Sequence, residues 1–562
     1  MKRMYNDFDI QEVPLSSKLF RTKVEQFLAQ NGLRMECLDA YYAIFDSDGG
    51  IIAGAGLDGD IIKCVAVSES GRESGYTVPL ISHIVSESAS RGISLLKVFT
   101  KPMYETVFGS LGFHCIARAP EAILMENGRG LEDYCSHLNG LRRAGTSGVV
   151  VMNANPFTIG HEYLLRLAVA QVDNLFVIPV KEERSRFSYA DRESMIRGCG
   201  IDGVTVAAGS AYQISAATFP TYFLKDLSAA SETQMRLDLD IFGRHIAPAL
   251  GVSVRFVGSE PSDPLTARYN ALMLETLPSY GVQVVEIPRL CDGEGPVSAS
   301  RVRSALDSGA YPAALVPPSS RPYLLAELMA RALRMELDAP LKPGLIGPDS
   351  NGAHTDMDYA LMRGSIDVIR QAFVRHFDPS NPVSAGRAAE SELLAYTGGV
   401  NTYRGAIFCL FIMAYAALAD ADRLQRRIAE LALVIEPSPQ SHGGVAVERY
   451  GVKGALAMAR GGYAELFSDW LPFYRSVKGE EYGLQKTLLR IMGGLDDTCI
   501  IHRAGIERVR EIKRNAAAAL ERFTPEALAG MDAEFKSSGI SPGGCADMLS
   551  LVIFTDSILT NN

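Results

Sequence analysis

Val149-Val150-Val151-Met152-Asn153-Ala154-Asn155-Pro156-Phe157-Thr158-Ile159-Gly160-His161 is the stretch on which the fold turns. Its first four residues form a continuous apolar run, as in a strand buried on both faces of a parallel sheet. A polar loop follows, and a helix is predicted from near Gly160 to about Val172. Leu175–Val180 then reads as the next buried strand, which completes a βαβ unit. The loop stands at a helix N-terminus, where free backbone N–H groups and the positive end of the helix dipole favour phosphates. Gly160 lets the backbone approach a ligand closely. His161, in the first turn, can donate to a phosphate oxygen and stabilise charge that develops in a transition state. A Gly-His pair alone is more often a plain turn with a packed histidine. A second element shifts the balance: Ser298-Ala299-Ser300-Arg301 opens another helix after the strand Val282–Ile287. Two hydroxyls placed as N-caps and a fixed guanidinium make a second phosphate clamp.

Working outward, Val254–Val257 and Val282–Ile287 extend the same sheet, and the polar stretch Arg142–Gly148 separates it from the N-terminal residues. There, Tyr42–Asp46, Ile51–Leu57, Lys63–Val67 and Leu95–Phe99 read as strands, with a helix from about Pro79 to Arg91. Alternating strands and helices mean a mixed α/β layer. On the other side, Tyr311–Pro322 carries four prolines and two serines and reads as a linker. Beyond it strand signals vanish, and segments such as Leu324–Leu337 and Ile506–Ala519 have helical periodicity. The uncharged run Ala406–Ala419 is too short to span a bilayer and reads as a buried core helix.

The 562 residues suggest three or four domains of ordinary globular composition, 47% hydrophobic and 21% charged. A net charge of −10 argues against a nucleic-acid or membrane partner, since both need a basic footprint. Nine dispersed cysteines without a CxxC pair fit reduced thiols. The N-terminus lacks an apolar signal segment, so cytoplasm is the expected location.

Three polar loops stand out in the helical half. Lys342-Pro343-Gly344 through Asn351, His354, Asp356 and Asp358 packs cations, acids and an amide into a Gly/Pro loop. Asp356 and Asp358 can offer oxygen ligands to Mg²⁺, and Lys342 can meet a triphosphate. Asp496-Asp497-Thr498 with His502-Arg503 is the second cluster. Ser541-Pro542-Gly543-Gly544-Cys545-Ala546-Asp547 is the third. Any one alone is a capped turn; together they suggest a magnesium–triphosphate site.

The pair formed by Thr158–His161 and Ser298–Arg301 resembles the T/HxGH nucleotidyltransferases. Within that superfamily, residues 1–310 resemble the acetate:citrate lyase ligase family. The closer match rests on Gly209–Ser215, Thr218–Lys225, Phe256-Val257-Gly258-Ser259-Glu260-Pro261, Thr266 and Tyr269-Asn270. The resemblance implies a GNAT acetyltransferase-like α/β domain at 1–145, with Val65–Val67, Arg72, Gly75, Thr77 and Phe108–Phe113 as its worn motifs. It implies a Rossmann-like α/β nucleotidyltransferase domain at 146–310. Acetate would attack ATP to give acetyl-adenylate. The thiol of the prosthetic group on the acyl carrier subunit of citrate lyase would then take the acetyl group. Thr158, His161, Ser300 and Arg301 would be catalytic, with Asn155, Phe157, Gly160, Ser298, Gly258 and Glu260 around ATP and Mg²⁺ beside it.

After the linker at 311–322, residues 323–562 resemble the triphosphoribosyl-dephospho-CoA synthases through the three polar loops and Thr397–Thr402. That implies a mostly α domain joining ATP to dephospho-CoA with release of adenine. Asp356 and Asp358 would be catalytic. Lys342, Asn351, His354, Asp497, Gly543 and Gly544 would hold the triphosphate, and Asp356, Asp358, Asp497 and Asp547 the Mg²⁺. The chain departs from that family at Tyr403-Arg404 (His-Lys), at Leu456 and Met458 (Arg and Glu), and at Cys499 (Asn). Two other readings therefore stay open. One is a ligase with a catalytically degenerate docking domain. The other is an adenylyltransferase for a CoA or nicotinamide precursor.

Overall fold

In a computed structural model of the chain, the deciding apolar run becomes the middle strand of a five-stranded, wholly parallel sheet. The structure describes residues 8–71, 74–182, 185–213, 227–261, 263–419, 423–437 and 442–560. Arg72, Ile214, Ser215 and the motif Thr218–Lys225 lie outside the described residues. Two compact units emerge, 1–156 with 160–297, and 157–159 with 298–562.

The first unit holds two large sheets and a two-stranded ribbon, Cys291–Asp292 paired with Gly295–Pro296. The N-terminal one comprises β1 (Ile10–Glu12), β2 (Ala40–Phe45), β3 (Ile51–Asp58), β4 (Ile61–Val67), β5 (Lys97–Thr100), β6 (His114–Arg118) and β7 (Ile123–Glu126), in the order β1-β2-β3-β4-β5-β7-β6. Every pair in it is antiparallel except β4 and β5. The second comprises β8 (Ser147–Met152), β9 (Asn174–Pro179), β10 (Val204–Val206), β11 (Val252–Gly258) and β12 (Gln283–Ile287), in the order β10-β9-β8-β11-β12. Strand order reverses between β8 and β11, and in such sheets ligands gather at that point, outside the carboxyl ends. Val149, Phe176, Val177 and Ile178 are fully buried, as a strand covered on both faces requires. One core cluster runs from Val24, Tyr41 and Phe99 to Val149, Phe176, Leu239 and Leu272, so the two sheets share apolar packing within this unit.

The second unit is helical, and its described residues contain no strand beyond one bridge between Gly347 and Ser350. Its centre is built from the helices Arg404–Ala417 and Gly543–Leu559, which are apolar on nearly every side and buried accordingly. No helix among the described residues is long and apolar enough to cross a membrane.

The stretch expected as a linker is packed instead. Tyr311 and Val316 are buried, and the Tyr311 N–H donates to Ser557 O at 3.1 Å. The Ser320 hydroxyl, also buried, donates to Phe157 O at 2.8 Å. Pro322 stands in the first turn of the helix Arg321–Asp338, where its missing N–H has no helical acceptor to lose. The helix Ala299–Ser308 and the proline-rich stretch thus belong with the helical unit.

Candidate functional site

The loop after β8 leads into the helix Ile159–Val169, so Gly160 and His161 fall in its first turn. His161 is partly buried, and desolvation, then the Arg289 guanidinium, pushes its imidazole down to about 4. It is neutral at physiological pH, and an anion arriving beside it restores its proton affinity. Arg289 forms an ion pair with Glu260 and takes Ser259 Oγ as acceptor for its backbone N–H. Glu260 thus orients a cation near His161. Gly258 ends β11 with open space where a side chain would stand, and its carbonyl accepts from Asn270 Nδ2 at 2.9 Å. The Asn155 Oδ1, expected at phosphate, accepts the Phe187 N–H at 3.2 Å and so also shapes the loop.

Five residues expected around the phosphates, Phe157, Thr158, Ser298, Ser300 and Arg301, lie in the second unit. Thr158 and Phe157 are buried, and the Phe157 carbonyl is the acceptor for Ser320. Ser298 caps the helix Ala299–Ser308, its Oγ accepting from Arg301 N at 3.3 Å. Ser300 is exposed, and its Oγ accepts from Arg303 Nη2 at 3.0 Å.

The helical unit has one well-formed cavity among its described residues, of about 510 Å³. All three polar loops reach it. His354 and Asp356 come from the first loop, Asp496, Asp497, His502 and Arg503 from the second, and Ser541, Gly543, Gly544 and Asp547 from the third. Close backbone contact builds these loops. A methyl on Gly344 would lie 2.2 Å from Ile540 O, and one on Gly352 2.5 Å from Gly344 O. His354 Nε2 meets Ser541 Oγ at 2.8 Å, and its Nδ1 lies 3.5 Å from Asp356 Oδ1. Burial, then Arg503, lowers its pKa.

Asp497 is buried, yet its oxygens accept three backbone N–H groups. Cys499 and Ile500 donate to Oδ1 at 2.8 and 3.2 Å, and Cys545 donates to Oδ2 at 2.9 Å. One carboxylate therefore ties the start of the helix Thr498–Ala504 to that of Gly543–Leu559. Burial pushes the Asp547 carboxyl well above the usual range, and Asp497 and Glu336 add to it. Crowded hard-oxygen donors of this kind suit Mg²⁺, which is commonly held by one or two carboxylates plus substrate phosphates. Among the described residues, no group of three or more His, Cys, Asp or Glu forms a ready metal cage.

Three expectations for this half change. Lys342 does not line the cavity. It is 3% exposed, and its ammonium is held by Glu336 Oε1 at 2.6 Å, so it neutralises a buried acid rather than a triphosphate. Asp358 also faces elsewhere, because it caps the helix Tyr359–Arg375 by accepting from Leu361 N at 2.8 Å. Asn351 is exposed and outside the cavity wall. Arg404, which stands where the related family has lysine, and Lys453, which the sequence did not single out, both line the cavity, paired with Glu390 at 2.6 Å and Glu465 at 2.9 Å. Met458, which replaces the family glutamate, lines it as well, as does Cys499, whose thiol burial raises above its ordinary value.

Comparison with known proteins gives both halves relatives. The family described as citrate lyase ligase C-terminal domain matches residues 147–324, and ATP:dephospho-CoA triphosphoribosyl transferase matches 322–562. The [citrate [pro-3S]-lyase] ligase of Klebsiella pneumoniae is 41% identical over 323 residues, covering 55% of this chain and 94% of that protein. The Escherichia coli (strain K12) ligase is 41% identical over 294 residues, 50% of this chain and 84% of the relative. The probable 2-(5''-triphosphoribosyl)-3'-dephosphocoenzyme-A synthase of Stutzerimonas stutzeri (strain A1501) is 35% identical over 262 residues, 41% of this chain and 90% of the relative. The chain therefore belongs to the citrate lyase ligase family through its N-terminal half and to the triphosphoribosyl-dephospho-CoA synthase family through its C-terminal half.

Proposed function

We propose that the chain is a bifunctional enzyme of citrate lyase activation. The helical half transfers the triphosphoribosyl group of ATP to dephospho-CoA and releases adenine, making the precursor of the prosthetic group. The N-terminal half joins acetate to ATP with loss of diphosphate. It then passes the acetyl group to the thiol of that prosthetic group on the acyl carrier subunit, leaving AMP. The observation that carries the reading is the cavity of the helical unit, where loops as far apart in sequence as Asp356 and Asp547 share one wall.

Within it, Asp497 and Asp547, with Asp356 at the edge, are the oxygen donors that would hold Mg²⁺, which neutralises a triphosphate when bound. Arg404, Lys453 and Arg503 offer cations to the phosphates. For the ligase reaction, phosphate-binding roles are proposed for Thr158, His161, Ser300 and Arg301, as the family resemblance implies. Positioning and charge stabilisation suffice there, without a protein nucleophile. Functionally the chain divides at 1–145, 146–310 and 323–562. The single parallel pair β4–β5 supports a GNAT-like first domain, and the parallel order β10-β9-β8-β11-β12 supports a Rossmann-like second. Nine free cysteines support the cytoplasm.

The test is to incubate the full-length protein with ATP, Mg²⁺ and dephospho-CoA and assay free adenine, beside acetate-dependent diphosphate release. Both products are expected. Diphosphate without adenine favours the second reading, a docking domain, to which Met458 on the cavity wall lends support.

A further inference from the structure

Among the described residues, Arg192 is the largest side chain that the fold buries completely. It sits in the helix Tyr189–Arg197, beside the parallel sheet. Its guanidinium reaches four backbone carbonyls. Nε donates to Phe187 O at 3.1 Å. Nη1 donates to Asn153 O and Val180 O, each at 2.8 Å, and to Asn153 Oδ1 at 2.8 Å. Nη2 donates to Glu182 O at 2.9 Å. The acceptors are not scattered. Asn153 is the first residue after β8, Val180 the first after β9, and Glu182 follows it.

A third strand end joins the same centre. The guanidinium lies 5.8 Å from the centre of the Tyr189 ring. The Tyr189 hydroxyl accepts the Gly209 N–H at 2.7 Å, just beyond β10. Gly209 itself presses on the end of β9, since a methyl there would lie 2.0 Å from Pro179 O. The carboxyl ends of three adjacent strands, β10, β9 and β8, are therefore fastened by one side chain and its ring neighbour.

Burying an ionised guanidinium is costly, and a methionine would fill the space with less desolvation. The fan of five donors in one plane does what an apolar side chain cannot, because it fixes several carbonyls at set angles. Those carbonyls belong to the rim where ligands of such sheets bind.

We propose that Arg192 is a positioning residue for nucleotide binding. It holds the start of the loop at Asn153 and the segment after β9 in the geometry that ATP phosphates require. The proposal rests on the ligase reading of this half. It asks no chemical step of Arg192, whose side chain is fully buried.

The experiment compares Arg192→Met and Arg192→Lys with the unaltered full-length chain in acetate-dependent ATP–pyrophosphate exchange. Circular dichroism and thermal melting establish folding first. The expected result is two folded variants with the KM for ATP raised on the order of tenfold or more in Arg192→Met. The KM for acetate holds, and Arg192→Lys recovers part of the loss. An unchanged KM for ATP, a matching rise in both KM values, or failure of both variants to fold overturns the assignment, because each describes a residue that only supports the fold. Absence of exchange in the unaltered chain is a different outcome, and it overturns the ligase reading itself.

Discussion

The α-carbon of Gly405 stands so close to Asp547 that a methyl group on it would lie 2.0 Å from Oδ2. The carboxylate sits there because the start of the helix Arg404–Ala417 offers it the Ala406 N–H. Gly405→Ala must push Asp547 out of the cavity wall or tilt that helix. Adenine release is expected to fall on the order of tenfold or more. Acetate-dependent diphosphate release in the same preparation stays as it was. Undiminished adenine release would show that Asp547 is not needed where it stands.

The Lys342–Glu336 pair is a second point of leverage, with side chains only 1% and 4% exposed. Lys342→Met leaves a carboxylate buried and alone, and breaking such a pair costs about 3–5 kcal/mol. The chain has one tryptophan, Trp470, and it lies in the helical unit. Urea unfolding followed by its fluorescence therefore reads that unit. A loss well below about 1 kcal/mol would mean that the pair contributes little to the stability of this unit.

Asp356 and Asp358 are separated by one residue, and the structure assigns them different work. Asp356→Ala is expected to abolish most adenine release, since Asp356 lines the cavity beside His354. Asp358→Ala removes a helix cap and costs about 1 kcal/mol of stability. Its adenine-releasing kcat is expected to hold. Equal losses of activity in the two variants would return Asp358 to the site.

His161 makes a pH prediction. The unfolded chain takes up this proton near 6.5 and the folded chain only near 4. Stability from the neutral ring is full above the first value and is lost as pH falls from about 6.5 to about 4. Histidine NMR is expected to show that the His161 ring, assigned by its loss in His161→Gln, stays neutral from about pH 5.5 to about 8. Saturation with ATP raises its midpoint. If the His161 ring titrates near 6.5 in the free protein, the ordinary value for histidine, then it is solvated.

Much of this was legible in the sequence because the signals are local. A run of four apolar residues marks β8, and a serine at a helix start marks the cap that Ser298 forms. The short strands β6, β7 and β10 escaped because three to five residues carry too little periodicity. Arg192 and Arg289 were invisible for another reason. Their partners come from other strand ends, and no spacing rule connects Arg192 to Val180 O. Asp358 could be read two ways because a cap and a metal ligand use the same residue type, and the structure shows it as the cap. The proline-rich stretch was misread because proline marks a helix start as readily as a linker. Leu456 is silent in the structure, whereas Met458 lies on the cavity wall.

The packed stretch Tyr311–Pro322 bears on how this fused gene product can be cut. A fragment starting at Tyr323 would leave behind Tyr311 and Val316, two buried pieces of the helical unit, and the Ser557 carbonyl would lose its donor. A fragment ending at Ala310 would carry the helix Ala299–Ser308 away from the unit it packs with. The seam suggested by family boundaries is therefore not where the fold comes apart. Fusion here has left the two activities separable on paper, in the list of their motifs, but not by scissors placed at the prolines.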